Sequence, residues 1–429
     1  MSRPGASSEP PQIGLALAGG APEGAVYEIG ALLALSEAIE GLDLNRLHVY
    51  VGVSSGAILG ACLVNGIPIE EIVDSVTADP DRTDNPFRPE TLFTPARREW
   101  LGRLGGLPRL VGNAVAEAVG QAGQGGLFGV LSRLGGSLPV GLFDNEPLRA
   151  YLADQFAQPG RSDDFRRLPG RLRVVATDLD AAAPAVFGGP GYDHVPISRA
   201  LQASSALPGL YPPVEIDGRD YVDGVLLKTM HGSVALEEGA RLLLSINPIV
   251  PVDTVRAVEE GVLRRGRLVD RGLPTVLAQA LRTLIHSRLD VGLRAYQTEF
   301  PDADVVLFEP RRDDYRMFFT NVFRFSDRRA ICAHAYRQTR ADLLARQGEL
   351  GTVLERHGLR LRTDVLEEER EPWPGWVEAA GRKPTARDLS RAKRSRPERT
   401  PRRPNMVPPP PSDLDRLRAA LDRIEQLTA

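Results

Sequence analysis

The sequence predicts an α/β fold: a mainly parallel central sheet with helices on both faces, followed by a basic, proline-rich tail and a C-terminal helix. Three observations carry that expectation. From Ile13 the chain alternates IGLALAGG, GAVYEIGALLALSEAI, HVYVGVS and SGAILGACLVNG, a strand-helix-strand-helix order that implies parallel strands joined by crossover helices. Glycine-rich turns occupy the junctions. The helical run near 24–40 is apolar on most sides, through Val26, Ile29, Leu32, Leu33 and Ile39, as a crossover helix buried against a sheet must be.

The bulk numbers fit a globular chain. Of 429 residues, 42% are apolar and 25% charged, with a formal net charge of -3. That length supports a sizeable core, and the charge balance gives no reason to expect nucleic acid as a partner. Cys62 and Cys332 lie far apart in apolar helical patterns, which argues against a disulfide framework and for a reducing compartment. The segment 1–12, MSRPGASSEPPQ, has no apolar signal-peptide core and reads as a flexible terminus, so the expected location is cytoplasmic.

Residues 49–69, VYVGVSSGAILGACLVNGIPI, contain no charge and have the length of a membrane span, with glycines at 52, 56 and 60 in a small-residue spacing. Strand-type residues at Val49, Tyr50 and Val51, two serines, an asparagine and a proline oppose that reading. A span would also remove the partner that the first strand needs. A strand turning sharply into a helix is therefore expected.

Further strands are expected at 172–179 (LRVVATDL), 241–246 (RLLLSI) and 304–308 (DVVLF), and a hairpin at 214–222 (VEIDGRDYV) turning on Asp217-Gly218. Helices are expected at 145–156, 197–205, 272–298 and 327–347. All of these fit one domain, 13–360. An apolar, glycine-rich insertion at about 87–143 reads either as a lid or membrane-touching surface or as ordinary packed helices. Residues 361–411, rich in arginine and proline, cannot bury a core and read as a largely disordered linker. In 412–429, Leu414, Leu417, Leu421 and Ile424 make a short amphipathic helix with Ser412 as its N-cap. Too short to be stable alone, it suits docking to a partner or oligomerisation.

The chemistry-bearing residues begin with Gly52-Val53-Ser54-Ser55-Gly56, a G-x-S-x-G at the expected strand-to-helix junction. A serine lifted out by such a turn needs small neighbours two residues to either side, and the helix behind it points its positive end at the hydroxyl. Gly19-Gly20-Ala21-Pro22-Glu23-Gly24 ends the first strand and lacks both dinucleotide and phosphate-loop spacing, so an oxyanion hole beside Ser54 is its better use. A serine nucleophile needs a base. Candidates are Asp178, Asp180, Asp217, Asp220, Asp223, His194, His231, His286, His334 and His357. Asp217 is occupied by its turn, whereas Asp223-Gly224 follows a strand end that can face a cleft. No His or Cys spacing suggests a metal site, and no cofactor is expected.

Together, AGGAPEG, GVSSG and DGV resemble, in order and context, the patatin-like phospholipase family, as does ASSALPGLYPPVEIDGRDYVDG leading into the aspartate. The resemblance implies a three-layer α/β/α fold and a serine-aspartate dyad without histidine, hydrolysing acyl esters of lipids through an acyl-enzyme. Carried over, Ser54 is nucleophile, Asp223 base, Gly19, Gly20 and Ala21 the oxyanion hole, and Gly52 and Gly56 the elbow glycines. The substrate is a lipid or acyl ester, with peripheral membrane contact an accompanying expectation.

Three positions depart from the family pattern. Ala21 stands where a third glycine is usual, and its β-carbon calls for a negative φ. Glu23 replaces a basic residue, removing a cation from the turn. Val225 replaces a smaller residue beside the aspartate. A non-catalytic lipid-binding or scaffold protein that kept the fold is the alternative, and a histidine-assisted triad through His231 is the mechanistic rival.

Overall fold

The computed structural model describes residues 12–77, 89–96, 140–259, 268–312, 314, 325–368, 370 and 372. All belong to a unit of residues 1–380, from which residues 381–429 separate as a second unit. The expectations for 1–11, for most of 87–143 and for 373–429 fall outside the described residues.

Eight strands form the main sheet: β1 (Ile13–Leu17), β2 (Val49–Val53), β3 (Arg171–Asp178), β4 (Ala183–Phe187), β5 (Val214–Ile216), β6 (Arg219–Asp223), β7 (Leu242–Ile246) and β8 (Asp304–Phe308). β1, β2 and β7 are buried at every position, because a parallel strand covered on both sides calls for an unbroken apolar run. β8, β7, β1, β2 and β3 lie side by side, all parallel. The predicted hairpin supplies β5 and β6, with Asp217 at φ 52° and Gly218 at φ 75° in its turn.

The helices among the described residues are α1 (Ala21–Ala38), α2 (Ser55–Val64), α3 (Ile69–Thr77), α4 (Glu146–Phe156), α5 (Ile197–Ser204), α6 (Gly232–Glu237), α7 (Thr254–Glu259), α8 (Leu273–Glu299), α9 (Phe325–Ala345), α10 (Gln347–Arg356) and α11 (Thr363–Glu367). Alternate residues of the central strands enter two separate cores, as a period of two requires. Leu15, Leu17, Tyr50, Leu242 and Leu244 join α1, α2, α5 and α9 in one core. Ala16, Val49, Val51, Val53 and Leu243 join α6 and α8 in the other. Helices therefore cover both faces. α1 reaches α9 at Gly30, where a β-carbon would stand 2.3 Å from the Cys332 carbonyl oxygen.

Residues 49–69 are thus β2, a turn, α2 and the first residue of α3. No helix among the described residues is long and apolar enough to cross a membrane. Cys62 and Cys332 are both free thiols.

Two parts of the fold depart from the sequence reading. β4, APAVF, contains Pro184 and among the described residues pairs only with β3, an edge position where a strand proline is tolerated. Residues 361–367, read as the start of a linker, are packed: Arg360–Leu361 pair with Ile39–Glu40, and Val365 and Leu366 are buried. Arg340 holds them by donating to the Val365 and Glu368 carbonyls.

One register relation positions the site. β2 pairs with residues 171–175 of β3, ending at Val53 opposite Val175. β6 pairs antiparallel with residues 176–178, ending at Asp223 opposite Ala176. β4 pairs with residues 174–178 and so occupies the other edge. β2 and β6 consequently share one edge of β3 end to end, and their termini meet.

Candidate active site

At that meeting point the chain leaves β2 at Ser54 with φ 52° and ψ -123°, outside the usual regions for a residue with a β-carbon. The following residue begins α2, so the serine stands on a sharp strand-to-helix turn. Close packing fixes that turn. A β-carbon on Gly52 would lie 2.3 Å from the Ala57 Cα, and one on Gly56 would lie 2.5 Å from the Ala18 carbonyl oxygen. Both glycines of the motif are therefore required by space.

The serine backbone is held from below. Ser54 N–H donates to Ser204 Oγ at 2.8 Å, and that hydroxyl donates to the Val175 carbonyl at 2.7 Å, tying the turn to β3 and α5. The sequence reading did not single out Ser204. Its signal was only the run ASSALPG ahead of the hairpin.

The Gly19-Gly20-Ala21 turn lies alongside because Leu17 is in register with Gly52. A β-carbon on Gly19 would come within 3.1 Å of Ser54 Cβ, and one on Gly20 would strike Gly24 and Pro248 at 2.6 Å. Ala21 has φ 53°. The negative φ that its β-carbon calls for is not adopted: the alanine holds the left-handed conformation, at about 1–2 kcal/mol. Packing of the turn against Pro248 and the start of α1 at Ala21 impose that conformation.

Asp223 is 3% exposed and ends β6. Its Oδ1 accepts from the Val225 amide at 2.9 Å, which orients the carboxyl. Burial pushes its carboxyl up to about 7, against hydrogen bonds from the Val225 amide and the Ser54 side chain that pull it down. Gly224 is obligatory here, since a β-carbon would sit 2.3 Å from the Val175 carbonyl oxygen.

Of the other candidate bases, Asp180 and Asp220 are exposed, and the rest make contacts of their own. Asp178 pairs with Arg219 at 2.9 Å, His194 contacts Asp217 at 2.9 Å, and His357 contacts Asp304 at 2.8 Å. His334 contacts Asp314, and buried His286 lies 4.0 Å from Glu309. His231 is buried, and its Nε2 donates to the Gly224 carbonyl at 3.3 Å, bracing the turn behind Asp223. Burial drives its imidazole down to about 4, so it stays neutral.

Ser54, Asp223 and the Gly19-Ala21 turn all line one cavity of about 1160 Å³, larger than a drug-sized site needs. From Ser54 it runs between α2, α3 and α4 along Ile58, Leu59, Ile72, Leu148 and Leu152. α8 closes the side near the glycine turn with Leu281, Arg282 and Ile285. Arg282 is largely buried and lies within electrostatic reach of Glu23, whose carboxyl burial raises. A cation from another helix thus stands near this acidic turn, a proximity with no local sequence signal. Among the described residues no group of three or more His, Cys, Asp or Glu is arranged to hold a metal.

A model of the family described as patatin-like phospholipase matches residues 15–230, half of the chain, including Ser54, Asp223 and the turns that flank them. The chain belongs to the patatin-like phospholipase family. Comparison with curated proteins gave no match. Among solved structures, the chain is similar to VipD from Legionella pneumophila, at 13% identity over 81% of this chain and 80% of that one, with a TM-score of 0.29. It is similar to ExoU of the Pseudomonas aeruginosa type III secretion system, solved with SpcU, at 16% identity over 87% and 68%, with a TM-score of 0.27. Human GIVD cytosolic phospholipase A2, solved with a fluorophosphonate inhibitor, is 14% identical over 62% and 46%, with a TM-score of 0.24. Membership of the patatin-like phospholipase family rests on the family match and gives lipid hydrolysis as the general activity.

Proposed function

We propose that this chain cleaves carboxylic esters of lipids by a serine-aspartate dyad, Ser54 acting as nucleophile and Asp223 as base, as a phospholipase A, lysophospholipase or esterase. The observation that carries the reading is the end-to-end meeting of β2 and β6 on one edge of β3, which sets the serine hydroxyl against a buried carboxylate. Ser54 Oγ attacks the acyl carbonyl carbon while its proton passes to Asp223. The amides of the Gly19, Gly20 and Ala21 turn receive the developing oxyanion, and the positive end of α2 adds to their field. Collapse expels the alcohol, which takes the proton from Asp223, and leaves an acyl-serine. Water, giving a proton to the same carboxylate, then attacks the acyl carbon; the bond to Ser54 Oγ breaks, Oγ takes that proton back from Asp223, and the carboxylic acid is released.

A carboxylate is ordinarily too weak a base for a hydroxyl. Burial brings Asp223 to about 7, close to working pH, where general-base efficiency is greatest. The apolar length of the cavity between α2, α3 and α4 suits an acyl chain. The test is labelling by a serine-directed fluorophosphonate together with hydrolysis of a short-chain ester. Ser54→Ala is expected to lose both, and Asp223→Asn to lose hydrolysis, with the fold intact. An unlabelled wild type would instead support the non-catalytic lipid-binding or scaffold alternative.

A further inference from the structure

Most of the large apolar side chains that stand exposed among the described residues fall between Val255 and Val291, and α8 carries the densest set. Leu273 is 68% exposed, Leu277 58%, Leu284 64% and Val291 69%. Recurring at about one and two helical turns, they share one face of the helix. The other side is the expected buried one, with Ile285, Leu289 and Tyr296 packed against the sheet. α8 is therefore apolar on two sides, and one of them faces solvent. Such a contiguous patch marks a surface with a partner.

Two features of the patch select the partner. Leu281 belongs both to the exposed stripe and to the cavity wall, so the patch runs into the mouth of the cavity that holds Ser54. Between Leu273 and Ala295 the same side presents two exposed arginines, Arg288, which donates to the Leu226 and Leu227 carbonyls, and Arg294, against one exposed carboxylate, Asp290, at its edge. A second copy of the chain would need a continuous apolar seam, which Ser287 and Arg288 interrupt. A lipid surface tolerates both residues and attracts the arginines when anionic.

We propose that the exposed face of α8 is a lipid-docking surface that seats the cavity mouth on an anionic membrane. Its purpose rests on the ester-hydrolase reading of the cavity, but its binding can be measured without turnover. The experiment is flotation of the full chain with phosphatidylcholine vesicles containing or lacking phosphatidylglycerol, for wild type and for the Leu277→Glu/Leu284→Glu double variant. Neither residue lines the cavity, and both are solvent-exposed, so the fold should tolerate the change.

Wild type is expected to float with the anionic vesicles, and the double variant to lose at least about tenfold in bound fraction. Hydrolysis of vesicle lipid should fall in parallel, whereas a soluble short-chain ester should be cleaved at the wild-type rate. Equal flotation of wild type and variant, or none by wild type, overturns the proposal. So does light scattering that shows a wild-type dimer which the double variant dissolves, for the face would then belong to a second copy. If vesicle binding behaves as expected but no ester is cleaved by wild type, the docking surface stands and the hydrolase reading fails.

Discussion

Replacing Asp223 by asparagine is expected to abolish turnover and, at the same time, to stabilise the fold above neutral pH. The native carboxyl holds its proton up to about pH 7, while the unfolded chain releases it near 3.8. Between those values the native state binds more protons, so stability falls as pH rises through the window. Carried to pH 8, the displacement corresponds to on the order of 4 kcal/mol of destabilisation by the ionised group. Asparagine keeps an oxygen for the Val225 amide and carries no charge, but its NH2 must find an acceptor, leaving a net gain of roughly 1–3 kcal/mol. Denaturant unfolding of both proteins at pH 8 should show that gain, and the difference should shrink toward pH 4. The wild-type ester rate supplies a second reading. The carboxylate fraction is about 9% at pH 6 and about 91% at pH 8, so kcat/KM should rise about tenfold between them. An asparagine variant less stable than wild type at pH 8, or a flat wild-type profile across that range, would refute the assignment of a strained, buried base.

Three further outcomes are expected. Ser204→Ala removes the acceptor of the Ser54 amide, and should destabilise by about 1–3 kcal/mol and lower kcat more than it raises KM, read from steady-state kinetics and denaturant midpoints. Ala21→Gly relieves a left-handed alanine, and should raise the unfolding free energy by roughly 0.5–1 kcal/mol, read from denaturant unfolding, with activity kept or increased. His231→Asn keeps a residue tolerant of the φ of 49° at that position, and should leave ester hydrolysis within about tenfold of wild type, against about a thousandfold loss for Ser54→Ala. A comparable loss in the histidine variant would revive the triad.

The strand-helix order, the elbow and the hairpin were legible because each is a local pattern: a period, a turn dipeptide, a glycine forced by close approach. The meeting of Ser54 with Asp223 could be expected from motif order only through resemblance to a family. Its physical cause, the shared edge of β3, is a register relation among three strands remote in sequence. Ser204 and Arg282 went unassigned for the same reason, since each acts across the fold on a turn or side chain distant along the chain. β4 was missed because Pro184 disguises an edge strand, and α11 because its short apolar pair, Val365 and Leu366, lies among charged residues. The exposed stripe of α8 was hidden by ambiguity: a helix apolar on two sides reads, from sequence, as simply buried.

The shared edge of β3 also separates two traits. The approach of Ser54 to Asp223 is written into backbone pairing, whereas much of the apolar cavity wall comes from α3 and α4, which lie in the long excursion between α2 and β3. Selection can therefore lengthen, shorten or rewrite that excursion, retuning which molecules enter, while the distance between Ser54 and Asp223 stays pinned.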